Sequence, residues 1–351
     1  MNLNNMSHRR FNPLTGEWIL VSPHRLQRPW LGKVEEMENG EKLKFDSGCY
    51  LCPGNERAGG LKNPVYKNTF VFRNDYSALN TNQDTVNINL NDLIKTENES
   101  GICRVVCFSP RHDLTLSEMD VDDIRKIIDV WIKEFKDLGS SSDINYVQIF
   151  ENKGEMMGCS NPHPHGQIWA THSIPGEPLK ETIHQKDFLF KKENCLLCEY
   201  KKLEMNNKER VIIDNEDFVV LVPFWAVWPY ETMIISKRHI KDISEFTEKE
   251  KNSFADILKN ITFIYDKVFS VSFPYSAGIH QAPTDGEDHP EWHFHYHFYP
   301  PLLRSPKIKK FMVGYEMLAN PQKDFTAESA AEVLKNLAEK YLNQEDIKIN
   351  Y

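Results

Sequence analysis

Arg111-His112-Asp113-Leu114-Thr115-Leu116-Ser117-Glu118-Met119 recurs in the second half of the chain as Arg238-His239-Ile240-Lys241-Asp242-Ile243-Ser244-Glu245-Phe246, with Arg-His and Ser-Glu at the same offsets. Each copy runs into a segment whose apolar residues fall at 3.6-residue spacing. These are Ile124, Ile127, Ile128, Trp131, Ile132 and Phe135 in the first, and Phe254, Ile257, Leu258, Ile261 and Tyr265 in the second. That period places them on one face of a helix, and Thr247 with Glu250 offers the second helix a capping box. Each copy is preceded by a Cys-x-x-Cys pair, Cys49/Cys52 and Cys195/Cys198, and followed by alternating histidines. Four features in one order mark an internal duplication, so two related α/β halves are expected. The short apolar runs at 71–72, 104–108, 146–150, 218–222 and 232–235 read as strands, many of them antiparallel. A helix over 327–342 is expected to close the chain. Two polar stretches interrupt this pattern: 32–48 reads as a loop and 80–101 as a mobile insertion.

The chain has 351 residues, which at about 150 per domain suits two domains or one two-part fold. With 40% hydrophobic and 26% charged residues it has the composition of an ordinary soluble globular protein. The 42 basic and 51 acidic residues leave a net charge of −9. That balance argues against a protein that coats nucleic acid or an anionic membrane, and an anionic substrate must then be held by local arginines and lysines. No window approaches the roughly 18 apolar residues of a spanning helix. The opening MNLNNMSHRRFNPLTG lacks the apolar stretch of a signal peptide, so the expected location is the cytoplasm. There, seven cysteines read as free thiols or metal ligands rather than a disulfide framework. His280, His289, His293, His295 and His297 crowd into one short stretch, a clustering that points to chemistry.

The sharpest motif is Asn161-Pro162-His163-Pro164-His165-Gly166-Gln167, running into the strand-like Ile168-Trp169-Ala170-Thr171. In an extended chain alternate side chains share a face, so His163, His165 and Gln167 are expected to project together. Pro164 stiffens the segment, and Gly166 permits close approach of a ligand. An imidazole with an ordinary pKa of about 6.5 is largely neutral at pH 7, so His165 can attack phosphorus without first needing a base. Gln167 can donate to a phosphoryl oxygen but cannot act as an acid. This suits a leaving group that is already good and points to transfer between phosphates.

Together with SPHRLQRPW, FRNDYSAL, VPFWAVWPYET, FPYSAGIHQAP, HFHYHFYPPLLRS and KKFMVGYEMLANPQ, this motif closely resembles the galactose-1-phosphate uridylyltransferases of the histidine-triad superfamily, from about Arg9 to Leu342. The resemblance implies an α+β fold: two duplicated histidine-triad-like α/β halves forming a largely antiparallel sheet flanked by helices. It divides the chain into a half at 1–190 with the nucleophile and a zinc site, and a half at 191–351 with a second metal and a hexose-phosphate segment. It implies uridylyl exchange between UDP-glucose and galactose 1-phosphate by a ping-pong route, with His165 as the covalent nucleophile and Gln167 steadying the phosphoryl oxygens. A homodimer with shared active sites is implied as well.

Cys49-x-x-Cys52 is a zinc signature when two histidines complete a closed tetrahedron. His112 and His163 are the candidates, and the resemblance assigns the matching positions to this site. Such a site would pin His163 and thereby aim His165. The resemblance places a second metal, iron or zinc, on Glu181, His280, His295 and His297, ligands that suit either ion. Cys195, Cys198 and His239 repeat the first pattern, so a zinc on these with His293 or His295 is a rival arrangement. For substrate, the resemblance implies Arg25, Arg28, Asn74 and Asp75 near the nucleotide and phosphates, where arginine forks suit phosphate oxygens. It places Asn152 and Ser160 beside the nucleophile. Lys310, Val313, Tyr315, Glu316 and Gln322 would hold the hexose and its phosphate, reaching across the dimer. Cys159 reads as a packing residue, and Trp169, Trp225 and Trp228 read as core or interface residues.

Two alternatives stand. One is a related nucleotidyltransferase or phosphorylase using another nucleotide sugar such as ADP-glucose. The other is a zinc-knuckle nucleic-acid module, which the acidic balance and the lack of a basic stripe interleaved with aromatics oppose.

Overall fold

The computed structural model describes residues 6–27, 43–81 and 87–342. In chain order the first half gives strands β1 (His8–Asn12), β2 (Glu17–Val21), β3 (Phe70–Arg73), β4 (Ile88–Leu90), β5 (Ile94–Thr96) and β6 (Gly101–Cys107), helix α1 (Val121–Gly139), strands β7 (Tyr146–Lys153) and β8 (His165–Thr171), and helix α2 (Gly176–Lys192). The second gives α3 (Leu196–Asn207), β9 (Val211–Asp214), β10 (Phe218–Leu221), β11 (Thr232–Ser236), α4 (Glu248–Val268), β12 (Tyr275–His280), β13 (His295–Tyr299), β14 (Leu302–Ser305), β15 (Ile308–Lys309), α5 (Tyr315–Leu318), β16 (Gln322–Lys323) and α6 (Ala327–Tyr341).

Nine of these strands form one sheet in the order β3-β6-β8-β7-β12-β13-β11-β10-β9, with every neighbouring pair antiparallel. β7 and β12 meet at its centre. Outward from them, β8, β6 and β3 on one side answer β13, β11 and β10 on the other, so the duplication is a pseudo-twofold within a continuous sheet. The register makes the equivalence residue by residue. Phe150 faces Gln167 in the first half, and Gly278 faces His297 in the second. Phe150 and Gly278 also face each other across the central pair. Asn152, His165 and Gln167 therefore correspond to His280, His295 and His297.

The predicted helices form where their apolar stripes fall. Ile124, Ile127, Ile128, Trp131, Ile132 and Phe135 of α1 are buried. α4 starts on a complete capping box, with Thr247 and Glu250 each taking the other's backbone N–H. α1, α4 and α6 cover one face of the sheet, packing on Ile168 and Ala170 of β8 and on Tyr296 and Phe298 of β13. Strand alternation then turns His165, Gln167, His295 and His297 to the opposite face.

Two expectations are corrected. The stretch 80–101 carries the short exposed hairpin of β4 and β5, with Ile88 opposite Thr96; residues 82–86 lie outside the described chain, as do 28–42 within the predicted 32–48 loop. His163 does not share a face with His165 and Gln167. β8 begins at His165, so period-two alternation does not reach back across Pro164, and the His163 ring turns among the cysteines.

Glu151 of β7 is buried on the helix-covered face, where the Tyr275 hydroxyl donates to it at 3.3 Å. Burial pushes its carboxyl up to about 7, against the pull of Lys153 and of that hydrogen bond. The folded chain thus holds this proton more tightly than the unfolded one. The resulting stability is fully present below the unfolded value of 4.5 and is lost as pH rises through 7, a change of roughly 3 kcal/mol. Glu151→Gln is expected to flatten this decline and to be more stable than the parent at about pH 8, read from urea midpoints on both sides of neutrality.

Candidate functional site

A cavity of about 570 Å³ opens on the sheet face away from the helices, lined by His165, Gly166 and Gln167 of β8, Asn152 of β7, Asn74 and Asp75 after β3, and Ser160. The strands bring these residues together from distant parts of the sequence. Gly166 lies flat at its wall: a Cβ there would meet Phe108 Cζ at 2.8 Å and the Phe150 carbonyl oxygen at 2.9 Å. His165 Nδ1 lies 2.7 Å from the His163 carbonyl oxygen. Only a ring N–H can make that contact, so the proton sits on Nδ1 and the lone pair on Nε2. Burial lowers the His165 pKa, only partly offset by this hydrogen bond, and so favours the neutral ring.

Two features of this cavity escaped the sequence. Trp169, two residues along the same strand face, donates its indole N–H to Gln167 Oε1 at 3.1 Å. Indole nitrogen is donor only, so this contact settles which end of the amide is nitrogen and leaves its N–H groups to a ligand. The signal was present in the 165-167-169 alternation. Trp169→Phe keeps the ring and removes the donor. It is expected to lower turnover about tenfold through loss of a correctly presented donor, with an unchanged thermal midpoint, in steady-state assays. Arg57 is the second feature: it supplies the cation among the lining residues and pairs with Asp75 at 3.0 Å.

Behind His165 lie Cys49, Cys52, His112 and His163, with ligand atoms within 4.8 Å of one another. Cys52 Sγ is 3.6 Å from His112 Nδ1 and 3.5 Å from His163 Nδ1. The edge of a tetrahedron built from ordinary zinc–sulfur and zinc–imidazole bonds is about 3.5 Å. Backbone and side chains preset the donors. Asn63 and Asn55 donate to the carbonyls of Cys52 and Cys49 at 3.0 and 2.8 Å. His163 Nε2–H donates to the Ser109 carbonyl at 2.9 Å, leaving Nδ1 as the ligand nitrogen. Burial pushes the Cys52 thiol up to about 11 and the His163 ring down to about 4; a metal ion bound here would displace the Cys52 proton and take the neutral His163 ring as it stands. The donor set fits zinc.

Glu181 of α2, His280, His295 and His297 form a second cluster. Glu181 Oε1 is 2.8 Å from His280 Nδ1, and Oε2 is 3.3 Å from His295 Nε2. Glu181 Oε2, His295 Nε2 and both ring nitrogens of His297 are buried with no hydrogen-bond partner. Buried polar atoms left without partners are rare, and one from each of Glu181, His295 and His297 gathered in one cluster fits a metal. The cluster occupies the place that corresponds to the His165 constellation. Cys195, Cys198 and His239 gather separately in a third cluster, with His293 Nδ1 at 3.4 Å from each sulfur. As in the first half, His293 precedes its strand and does not share the face of His295 and His297, so the two arrangements posed as rivals both form.

Arg25, Lys310, Val313, Tyr315, Glu316 and Gln322 line a different cavity of about 1020 Å³ that shares no lining residue with the first. Lys310 Nζ donates to the Gln322 carbonyl at 2.6 Å and approaches Glu316 at 3.3 Å. Phe311, Val313, Tyr315, Met317 and Leu318 beside it are exposed. Arg28 lies outside the described residues.

The chain matches the galactose-1-phosphate uridyl transferase N-terminal domain family over residues 1–175 and the corresponding C-terminal domain family over 181–346. It is 47% identical to galactose-1-phosphate uridylyltransferase of Haemophilus influenzae, covering 95% of both chains. With the enzyme of the same name from Saccharomyces cerevisiae it shares 48% identity over 94% of both. A solved uridylyltransferase structure superposes with a TM-score of 0.76 at 26% identity, over 96% of this chain and 100% of that one. An Arabidopsis thaliana ADP-glucose phosphorylase structure superposes with a TM-score of 0.73 at 24% identity, over 94% of this chain and 99% of that one, a likeness of fold.

Proposed function

This chain belongs to the galactose-1-phosphate uridylyltransferase family, and on that footing we propose that it moves a uridylyl group from UDP-glucose to galactose 1-phosphate through a covalent uridylyl-His165. The observation that supports this most is the His165 ring itself, whose Nδ1–H is held by the His163 carbonyl at 2.7 Å, so that Nε2 is the nucleophilic atom.

In the first half-reaction His165 Nε2 bonds to the α-phosphorus of UDP-glucose and the bond to the β-phosphate oxygen breaks, releasing glucose 1-phosphate. The charge that develops on the ring is stabilised by the Nδ1–H···O=C contact. The Gln167 amide, turned by Trp169, donates to a non-bridging oxygen. Asn152 and Ser160 add polar contacts, and Arg57 adds positive charge. In the second half-reaction a phosphate oxygen of galactose 1-phosphate attacks the same phosphorus, UDP-galactose forms, and Nε2 is restored. Leaving group and nucleophile are both phosphates, so no general acid is required.

Cys49, Cys52, His112 and His163 would hold a zinc, and Glu181, His280, His295 and His297 an iron or zinc. Such ions fix ligand geometry and carry no substrate chemistry in this reading. The Arg25 and Lys310 cavity lies away from His165 in one chain. If it holds the hexose and its phosphate, a second copy must bring it to the nucleophile, which supports a homodimer with shared sites. Among the described residues no helix is long and apolar enough to cross a membrane. All seven cysteines are free thiols, which suits the cytoplasm.

Uridine-labelled UDP-glucose is expected to leave an acid-labile label on His165 and to release one glucose 1-phosphate per label. A label on another residue, or faster labelling from ADP-glucose, would overturn this assignment.

A further inference from the structure

The cluster of Cys195, Cys198, His239 and His293 belongs to neither the His165 cavity nor the Glu181 cluster, and we propose that it holds a third metal ion, a structural zinc, alongside the other two sites. The four donors come from three separate parts of the second half. Cys195 caps the start of α3, its sulfur 3.4 Å from the Cys198 N–H. His239 follows β11, and His293 lies just before β13. The ligand atoms of Cys195, Cys198 and His239 lie within 4.8 Å of one another. His293 Nδ1 is 3.4 Å from both sulfurs, close to the roughly 3.5 Å edge of a zinc tetrahedron with two sulfurs and two imidazoles.

The hydrogen bonds around the cluster turn lone pairs inward. His293 Nε2 sits 2.9 Å from the carbonyl oxygen and 2.9 Å from the hydroxyl of Ser236. Its proton goes there, and Nδ1 is left for the sulfurs. His239 Nε2–H donates to the Trp292 carbonyl at 2.8 Å, which leaves its Nδ1 as the remaining ligand nitrogen. These are the outer contacts that metal-bound imidazoles make. Cys195 and His293 are buried, with 4% and 0% exposure, and His239 stands on the exposed side of the cluster; four protein donors fill a tetrahedral ion and leave no position for a substrate. Two thiolates with two imidazoles select zinc over harder ions.

The site also has a task. His295 Nδ1 lies 2.8 Å from the His293 carbonyl, the counterpart of the contact that orients His165. By fixing His293, the third ion aims His295 Nε2 at the Glu181 carboxylate, as the first ion aims His165 Nε2 into its cavity. His293 serves one cluster and His295 the other, through alternate residues of one run.

The test is metal content and cobalt spectroscopy on the full chain. Cys195→Ser with Cys198→Ser is expected to lose one metal equivalent. It should also lose half of the sulfur-to-cobalt charge-transfer intensity of the cobalt-exchanged protein, the other half disappearing in Cys49→Ser with Cys52→Ser. The unsubstituted protein gives an independent reading that does not depend on a variant folding: mapped by mass spectrometry, Cys198 should resist alkylation until a chelator is added. Undiminished charge transfer in the Cys195/Cys198 variant, or equal alkylation before and after chelation, overturns the third site.

Discussion

His165→Ala is expected to form no covalent adduct with labelled UDP-glucose and to lose uridylyl exchange by at least about 10⁴-fold, the scale seen when a covalent nucleophile is deleted. Among the described residues lining the cavity, His165 is the imidazole. The thiol there, Cys159, is a poor substitute, because burial raises its pKa and its sulfur is 3.1 Å from the Asn161 carbonyl. Without His165 the donor keeps its β-phosphate bond, and the second half-reaction has no intermediate to consume. Binding is a separate matter, because Gln167, Asn152, Ser160 and Arg57 remain. The variant should therefore still bind UDP-glucose by calorimetry, with an affinity within about tenfold of the parent, a difference of at most about 1.4 kcal/mol. Stability should change little: His165 is half-buried at the start of a strand, and alanine leaves its backbone pairing with Cys107 intact. A variant that labels as fast as the parent would sink the mechanism. One that fails to bind donor would show that the loss lay in the pocket.

The fold was legible because its determinants repeat. The Arg-His and Ser-Glu copies, the two apolar stripes and the capping box at Thr247 each point to a particular helix, and those helices form. What strand periodicity could not deliver was the edge of a strand. Alternation assigns His163 to the face of His165 only if the strand continues across Pro164, and the strand begins one residue later, at His165. The same break at His293 hid the fact that the two metal arrangements need different residues of one histidine run. The hairpin at β4 and β5 was missed because its few apolar residues, Ile88, Leu90 and Ile94, are exposed and sit in a run of asparagines and charged residues that reads as loop. Gln167 could be singled out for its amide, but which way that amide points depends on Trp169, a choice that lies in side-chain geometry. The separation of the Lys310 cavity from His165 is a matter of long-range placement, which no local motif encodes. Motifs name the atoms that do chemistry; register and partners decide where those atoms point.

Cys52→Ser is the second substitution with a large expected effect, because it acts on the backbone that presents the nucleophile. Cys52 is fully buried and is the sulfur closest to both His112 and His163. A serine there cannot supply a thiolate, and a three-ligand remnant should bind zinc far more weakly, as second-row oxygen donors replace sulfur. The variant is expected to lose one metal equivalent and several kcal/mol of unfolding free energy, as buried structural zinc sites do when opened. Its effect on catalysis follows from geometry. His163 would no longer be anchored through Nδ1, and its carbonyl, 2.7 Å from His165 Nδ1, would lose its fixed position. A shift of about 1 Å in a reacting group costs on the order of 10²-fold, so exchange should fall at least that far while labelling, though slow, remains on His165. That division separates this role from the first: deleting His165 abolishes the adduct, whereas opening the metal site slows its formation. If Cys52→Ser kept its full metal content and parental exchange rate, the cluster would have no part in aiming His165, and the shared arrangement of His163 and His293 would be only a relic of duplication.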